Sequence, residues 1–187
     1  IVNLGLQRLH SDPSCPVKGG HGHVQYQREK NVDVVFLPSF VNLNTPEDIL
    51  DKGLSCPYTQ TIPYISQVVF KDISIIKPVI NLRRKRTFMI NELAASFKRF
   101  GIKKYRISRA INTAQKAQDD FLDAIKAKGN DVLSDIKDKT IVIIGRSYNA
   151  LDSGVNLEIP KKLADLDILS VPFDFLPTEG YEIESEW

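Results

Sequence analysis

The only two cysteines in the chain sit in the same tripeptide, Ser14-Cys15-Pro16 and Ser55-Cys56-Pro57. Proline locks φ near −65° and has no N–H, so it is favoured in the first turn of a helix. Each cysteine is therefore expected at or beside a helix N-cap, where unpaired N–H groups and the positive end of the helix dipole favour a thiolate. Two thiolates prepared alike suit metal or cluster ligation, or redox work. Two plainer readings stand beside this one: inert thiols that serve packing, and a disulfide.

Other chemistry-bearing residues are fewer. Cys15 is followed by Gly19-Gly20-His21-Gly22-His23, in which the glycines let the backbone approach a neighbour closely. His21 and His23 could add ligands, but residues two apart do not share a helix face. A surface or hydrogen-bonding role is expected for both. Gly145-Arg146-Ser147-Tyr148-Asn149 follows an apolar run, which puts a flexible turn and a planar cation at the carboxyl edge of a sheet, where open α/β sheets bind ligands. Arg146 suits a phosphate, a carboxylate or an anionic cluster; it could equally pair with a local acid such as Asp152. Arg83-Arg84-Lys85-Arg86 reads as a solvated turn, because the net charge of +2 gives no push toward nucleic acid or membrane. Neither a Walker A loop nor a Gly-x-Gly-x-x-Gly fingerprint is present. With no Ser-His-Asp order and no paired carboxylates in a supporting setting, no catalytic residue is assigned.

These groups need elements to hold them. Ile1–Leu9 carries a weak helical pattern, and Val24–Lys30 reads as a helix. Val32–Leu37 reads as a buried, parallel strand ended by Pro38-Ser39. Phe40–Leu54 is expected as a loop with a helical turn at Pro46–Leu50 capped by Thr45. Ile62–Phe70 reads as a helix with Pro63 in its first turn. Ile73–Ile76 and Val79-Ile80 form a second strand interrupted by Pro78. Two helices follow, Phe88–Phe100 stopped by Gly101, and Tyr105–Lys128 ended by Gly129-Asn130. The second holds one apolar stripe: Ile107, Ile111, Ala114, Phe121 and Ile125. Thr140–Ile144 is the clearest strand; Ile159–Leu166 is a helix, Ile168–Val171 a strand, and Pro172–Pro177 closes it. The grammar is α/β.

At 187 residues with 42% apolar content, the chain can bury a core in one domain or a little more. The expected division is a first α/β lobe at 1–81, incomplete at its start, a helical spacer at 82–138, and a second lobe at 139–187, incomplete at its end. A start at Ile1 and an acidic end at Glu182–Trp187 suggest a piece of a longer protein. No apolar run reaches the roughly 20 residues of a membrane span. There is no signal-peptide pattern, and two cysteines are too few for a secreted disulfide scaffold, so a cytoplasmic location is expected.

An ordered set of motifs carries a family resemblance. Cys15-Pro16-x-Lys18, His21-Gly22-His23, Val32–Pro38, Asn42, Cys56-Pro57-Tyr58, Gly145–Asn149, Asp152, Asn156, Ile159-Pro160 and Pro172–Pro177 resemble the domain of unknown function found in large CoA-substrate-specific enzyme activases. That domain is similar to the subunits of 2-hydroxyacyl-CoA dehydratases and benzoyl-CoA reductases. The resemblance spans about Asp12 to Pro177. It implies Rossmann-like parallel-sheet lobes joined by a helical insertion or spacer. It also implies that cysteines at the positions of Cys15 and Cys56 help hold a [4Fe–4S] cluster. Lys18, Arg146 and Tyr148 would lie beside it, the two cations offsetting its charge. The implied partners are an ATPase activase module, in the same parent chain or complex, and an acyl-CoA dehydratase, in anaerobic electron transfer.

The sequence departs from that pattern in three ways. The third cysteine is absent, and in the family it would lie beyond Trp187. Ser147 stands where the family has proline. The opening strand and helix of the first lobe are missing. The resemblance therefore implies a cluster-carrying or electron-transfer domain that is not catalytic alone. The competing expectation is a non-catalytic α/β scaffold or docking domain without a cluster. A third is an acyl-CoA- or phosphate-binding domain using Arg146 and the basic run.

Overall fold

A short helix, α1 (Val2–Leu6), precedes the first Cys-Pro step. Both Cys-Pro steps then open helices as their prolines dictate. In the computed structural model, which describes residues 1–7, 9, 13–43, 53–136 and 139–177, α2 runs Cys15–Glu29 with Ser14 as N-cap. Strands β1 (Val34–Phe36) and β2 (Ser39–Asn42) follow, and α3 (Pro57–Val69) takes Cys56 itself as N-cap. Next come β3 (Ser74–Ile76), β4 (Val79–Asn81), α4 (Arg86–Ser96) and the long α5 (Lys104–Ser134). The chain ends its described course with β5 (Thr140–Ile143), α6 (Ser147–Leu151), α7 (Ile159–Ala164) and β6 (Leu169–Pro172). It divides into two units, Ile1–Ile111 and Asn112–Trp187, with α5 starting in the first and continuing in the second.

In the first unit β1 pairs parallel with β3, and β2 parallel with β4. The two pairs are one ribbon interrupted at Pro38 and Pro78. The Leu37 N–H donates to the Ile76 carbonyl at 2.8 Å and the Ser39 N–H to the Pro78 carbonyl at 2.9 Å, which carries the register across the break. Pro38 therefore does not end the strand as expected: its missing N–H falls at a position facing away from β3–β4, so the pairing loses nothing there. α3 is the crossover that two parallel strands require, and the chain is α/β. Val17 and Val24 from α2, Val35 from β1, Phe70 after α3, Ile76 from β3 and Ile80 from β4 are buried. An aromatic contact extends this packing, with the Phe36 and Phe97 ring centroids 5.6 Å apart.

Helices α2, α3 and α5 depart furthest from the expected bounds, and α4 and α7 differ from theirs by a few residues. α2 begins at Cys15 rather than Val24, and Gly19, Gly20 and Gly22 lie inside it. Its glycines are there for contact: a Cβ on Gly22 would fall on the carbonyl oxygen of Ile1, and one on Gly5 of α1 would fall on that of Lys18. α3 begins at Pro57, so Pro63 sits mid-helix; it is fully buried and forgoes one i→i−4 bond in return for core packing. α5 runs past Gly129 to Ser134, because Gly129 is not a C-cap but a contact point: a Cβ there would fall on the Phe175 carbonyl oxygen. Of the expected stripe on α5, Ile107 is buried and Phe121 is exposed. Gly101 does stop a helical segment, at φ 65° after the 3-10 turn Lys98–Phe100. The helical turn expected at 46–50 lies outside the described residues.

The second unit contains a parallel pair, β5 with β6, in the register Thr140 to Leu169 through Ile143 to Pro172. The expected strands and the helix at Ile159 are present, together with a short helix, α6, that sequence reading did not anticipate. Leu157 and Glu158 adopt positive φ (55° and 57°) just before α7, where the Asn156 carboxamide oxygen accepts the Glu158 N–H at 2.9 Å.

Candidate functional site

The two cysteines are positioned by a pair of packed helices. Gly20 of α2 faces Ile62 of α3, where a Cβ would lie 3.2 Å from Ile62 Cδ1. One residue further along α2, His21 Nδ1 lies 3.1 Å from Ser66 Oγ. α2 and α3 therefore pack on each other through these residues. Gly20 is five residues from Cys15 and Ile62 six from Cys56. At 1.5 Å rise per residue, the cysteines lie about 7.5 and 9 Å back along their axes from that contact. Each cysteine thus stands at the start of one helix of a packed pair. Both are free thiols, Cys15 half-buried and Cys56 exposed, so the disulfide reading does not hold here.

The backbone leading into Cys56 is tied down. Ser55 is buried; its hydroxyl donates to the Phe40 carbonyl and its N–H to the Val41 carbonyl at 3.0 Å. The Gln60 side-chain amide donates back to the Ser55 carbonyl at 2.9 Å, and Ser39 Oγ donates to the Gln60 carbonyl at 2.7 Å. Cys56 therefore rides on a residue locked to β2 and on the first turn of α3. Cys15 is held by the first turn of α2, where the Val17 and Lys18 N–H groups donate to the Ser14 carbonyl at 3.0 and 3.2 Å. Neither first turn carries an acid, and Lys18 is a half-buried cation within a turn of Cys15.

α2 and α3 also share a buried polar pair, His21 and Ser66, whose burial sequence reading did not anticipate. Of the two roles expected for His21 and His23, His21 takes the hydrogen-bonding one and is fully buried, whereas His23 is exposed. The signal was present: Val17, His21 and Val24 stand at i, i+4 and i+7, one helix face. Burial pushes the His21 imidazole below its ordinary value of 6.5. Its Nε2 and the Gln25 Oε1, one turn on, are buried without a hydrogen-bond partner among the described residues.

The remaining expected residues belong to the second unit. Arg146 is the N-cap of α6, three residues after β5 ends at Ile143, and is exposed; Tyr148 lies in the first turn of that helix. Asp152 does not serve Arg146. Its Oδ1 accepts the N–H groups of Gly154 and Val155 at 2.9 and 3.1 Å, which shapes the turn after α6. Ser147 Oγ donates to Asp174 Oδ2 at 2.9 Å, joining the loop after β5 to the turn after β6.

As a metal centre the donor set is incomplete. Among the described residues no group of three or more His, Cys, Asp or Glu side chains is placed to hold a metal ion. Two thiols at the starts of packed helices are at most half the donors of a soft-ligand site. No helix among the described residues is long and apolar enough to cross a membrane.

No curated protein and no solved structure matches the chain. The family model described as the CoA enzyme activase uncharacterised domain (DUF2229) matches residues 1–176, nearly the full length. The chain belongs to that family of CoA enzyme activase domains.

Proposed function

We propose that this domain, as part of a CoA enzyme activase system, supplies Cys15 and Cys56 as two ligands of a [4Fe–4S] cluster whose other ligands come from outside this chain. The observation that supports the reading is that both Cys-Pro steps open helices, α2 and α3, which pack on each other. A cluster there would supply one-electron chemistry. The domain's own part is to hold two thiols on rigid helix starts, with Lys18 near one of them and no acid in either first turn. In this reading the domain is Rossmann-like in descent. It works beside an ATPase module that drives electrons toward an acyl-CoA dehydratase, and is not catalytic alone.

The test is anaerobic reconstitution with iron and sulfide, comparing wild type with Cys15→Ala/Cys56→Ala. The expected result is bound iron and sulfide with visible and EPR signals, all lost in the double variant. Appearance of the signals only in a dimer would assign the missing ligands to a second copy. Iron-free wild type, alone and in a version extended past Trp187, would overturn the reading.

One observation favours a second reading, a docking domain without a cluster: the described residues offer no third donor. That reading expects partner binding to survive replacement of both cysteines.

A further inference from the structure

The long helix α5 is bare along its middle. Residues 112–124 are exposed on every side of it, about 20 Å of helix at 1.5 Å per residue. Contacts hold its two ends: Ile107 is buried near the start, and Gly129 is buried against the Phe175 carbonyl. Among the described residues no helix or strand packs along the stretch between. A helical stretch of that length gains little net stability from its own hydrogen bonds in water, and such helices are held by an apolar face packed on something.

α5 has such a face. Ile107, Ile111, Ala114, Gln118, Phe121 and Ile125 recur at steps of four and three, the heptad spacing by which two helices wind round each other. Phe121 is 57% exposed and Leu122 beside it 45%. The charged residues between Ile107 and Ile125 are Arg109, Lys116, Asp119, Asp120 and Asp123. At about 100° per residue, all of them fall on the opposite side of the helix. There Lys116 Nζ donates to Asp120 Oδ1 at 2.7 Å, and Gln115 Nε2 donates to Asp119 Oδ1 at 2.9 Å, which ties Gln115 to an acid of the outer face.

A seam with heptad spacing calls for a helix as its occupant, and the charge pattern says which. Residues 104–116 of α5 include four Lys and Arg and no acid; residues 117–134 include four Asp and two Lys. A second α5 laid antiparallel sets the cationic half of each copy against the acidic half of the other and opposes the two helix dipoles, whereas a parallel one sets like against like. The seam is also self-complementary in the antiparallel direction. With the two-fold axis at Lys116, Ile111 meets the partner's Phe121 and Ala114 meets the partner's Gln118, and each contact occurs twice. A lipid surface would call for cations on the polar face, where Asp119, Asp120 and Asp123 stand.

We propose that the 111–125 face of α5 is a self-association surface, on which a second copy of this chain docks its own α5 antiparallel. The inference does not rest on the cysteines: an iron-free dimer supports it, and an iron-loaded monomer overturns it while leaving the cluster reading in place.

The experiment is sedimentation equilibrium of the full chain between about 1 and 100 μM, with circular dichroism to confirm that each variant is folded. A monomer–dimer equilibrium is expected in that range, with helical signal rising as the dimer forms. Phe121→Glu puts a charge on the seam and should weaken the dimer about tenfold or more. Asn112→Glu puts the same charge on the outer face and should leave the dimer unchanged. Ala117→Glu, at an exposed alanine flanking the seam, is the second variant should Phe121→Glu unfold. Direction is read by disulfide trapping in a Cys15→Ser/Cys56→Ser background, where Ala110→Cys and Ala124→Cys chains, mixed, should cross-link to each other and not to themselves. A monomer throughout the range would overturn the proposal in favour of another protein's helix. A dimer that Phe121→Glu and Ala117→Glu leave intact would overturn it in favour of an interface elsewhere. Cross-linking of the Ala110→Cys chain to itself would overturn the antiparallel pairing.

Discussion

Replacing a helical glycine by alanine ordinarily stabilises a helix by roughly 0.5–1 kcal/mol, because the unfolded chain loses freedom. α2 offers two such sites three residues apart, with opposite surroundings. A Cβ on Gly19 meets nothing within 4 Å, so Gly19→Ala should gain that roughly 0.5–1 kcal/mol. A Cβ on Gly22 falls on the Ile1 carbonyl oxygen and 3.1 Å from Ile1 Cγ2. Backbone cannot rotate away as a side chain can, so α1 must shift off α2. Overpacking of this kind costs about 1–3 kcal/mol. Against the same propensity gain, Gly22→Ala should be net destabilising by up to about 2 kcal/mol and should lie about 1–3 kcal/mol below Gly19→Ala. The difference between the variants cancels propensity and isolates the contact. Urea unfolding at fixed m-value measures it, and hydrogen exchange at the α1 amides locates it. If Gly22→Ala proved as stable as Gly19→Ala, the close packing of α1 on α2 would be refuted.

Acid should weaken the first unit through His21. Its folded imidazole titrates below 6.5, so between that lowered value and 6.5 the unfolded chain binds a proton that the folded chain refuses. Stability should therefore be flat above 6.5 on this account and fall as pH drops through it, by up to about 1.4 kcal/mol per unit. Unfolding titrations at about pH 7.5 and about pH 5.5 should show this component of the slope in wild type and not in His21→Gln; equal slopes would discard it. In the second unit, Gly129→Ala should loosen the packing of α5 on the Phe173–Phe175 turn, at about 1–3 kcal/mol. Faster amide exchange confined to that turn and the β5–β6 pair is the expected reading, and unchanged exchange would contradict it.

The parts of this architecture that depend on local rules were legible in the chain. Pro16 and Pro57 each mark a helix start, the Val32–Leu37 run announces a parallel strand, and Gly101 stops a helix. What was not legible depends on partners distant in sequence. Gly19, Gly20 and Gly22 look like a flexible loop until Ile1 and Ile62 are seen against two of them, and Gly129 looks like a C-cap until the Phe175 carbonyl is placed beside it. Pro63 reads as an N-terminal residue because propensity alone resists it mid-helix, and burial overrides propensity. His21 reads as a surface or hydrogen-bonding residue, and which of the two could not be decided because its partner, Ser66, is 45 residues away. At the candidate site the two Cys-Pro steps could be anticipated as helix starts, but the packing of α2 on α3 through Gly20, Ile62, His21 and Ser66 could not.

The two prolines of the interrupted ribbon also govern how its sheet can extend. In the register of Ser39 with Val79, the N–H of Leu37 and of Ser39 point toward β3–β4, so the position of Pro38 faces outward. A strand arriving on that side would find a missing donor at Pro38. Beyond it the edge is already taken: Gly53 accepts the Leu43 N–H at 2.8 Å and Ser55 donates to Val41. Pro78 occupies an inward position, so its missing donor is spent inside the ribbon and the outer side of β3–β4 keeps its N–H groups. Among the described residues no strand pairs with that outer edge, and an unpaired parallel strand edge is a template for any extended segment. Non-native association of this protein, through swapping or fibrillar stacking, should therefore begin at Ser74–Asn81 and spare Val34–Asn42.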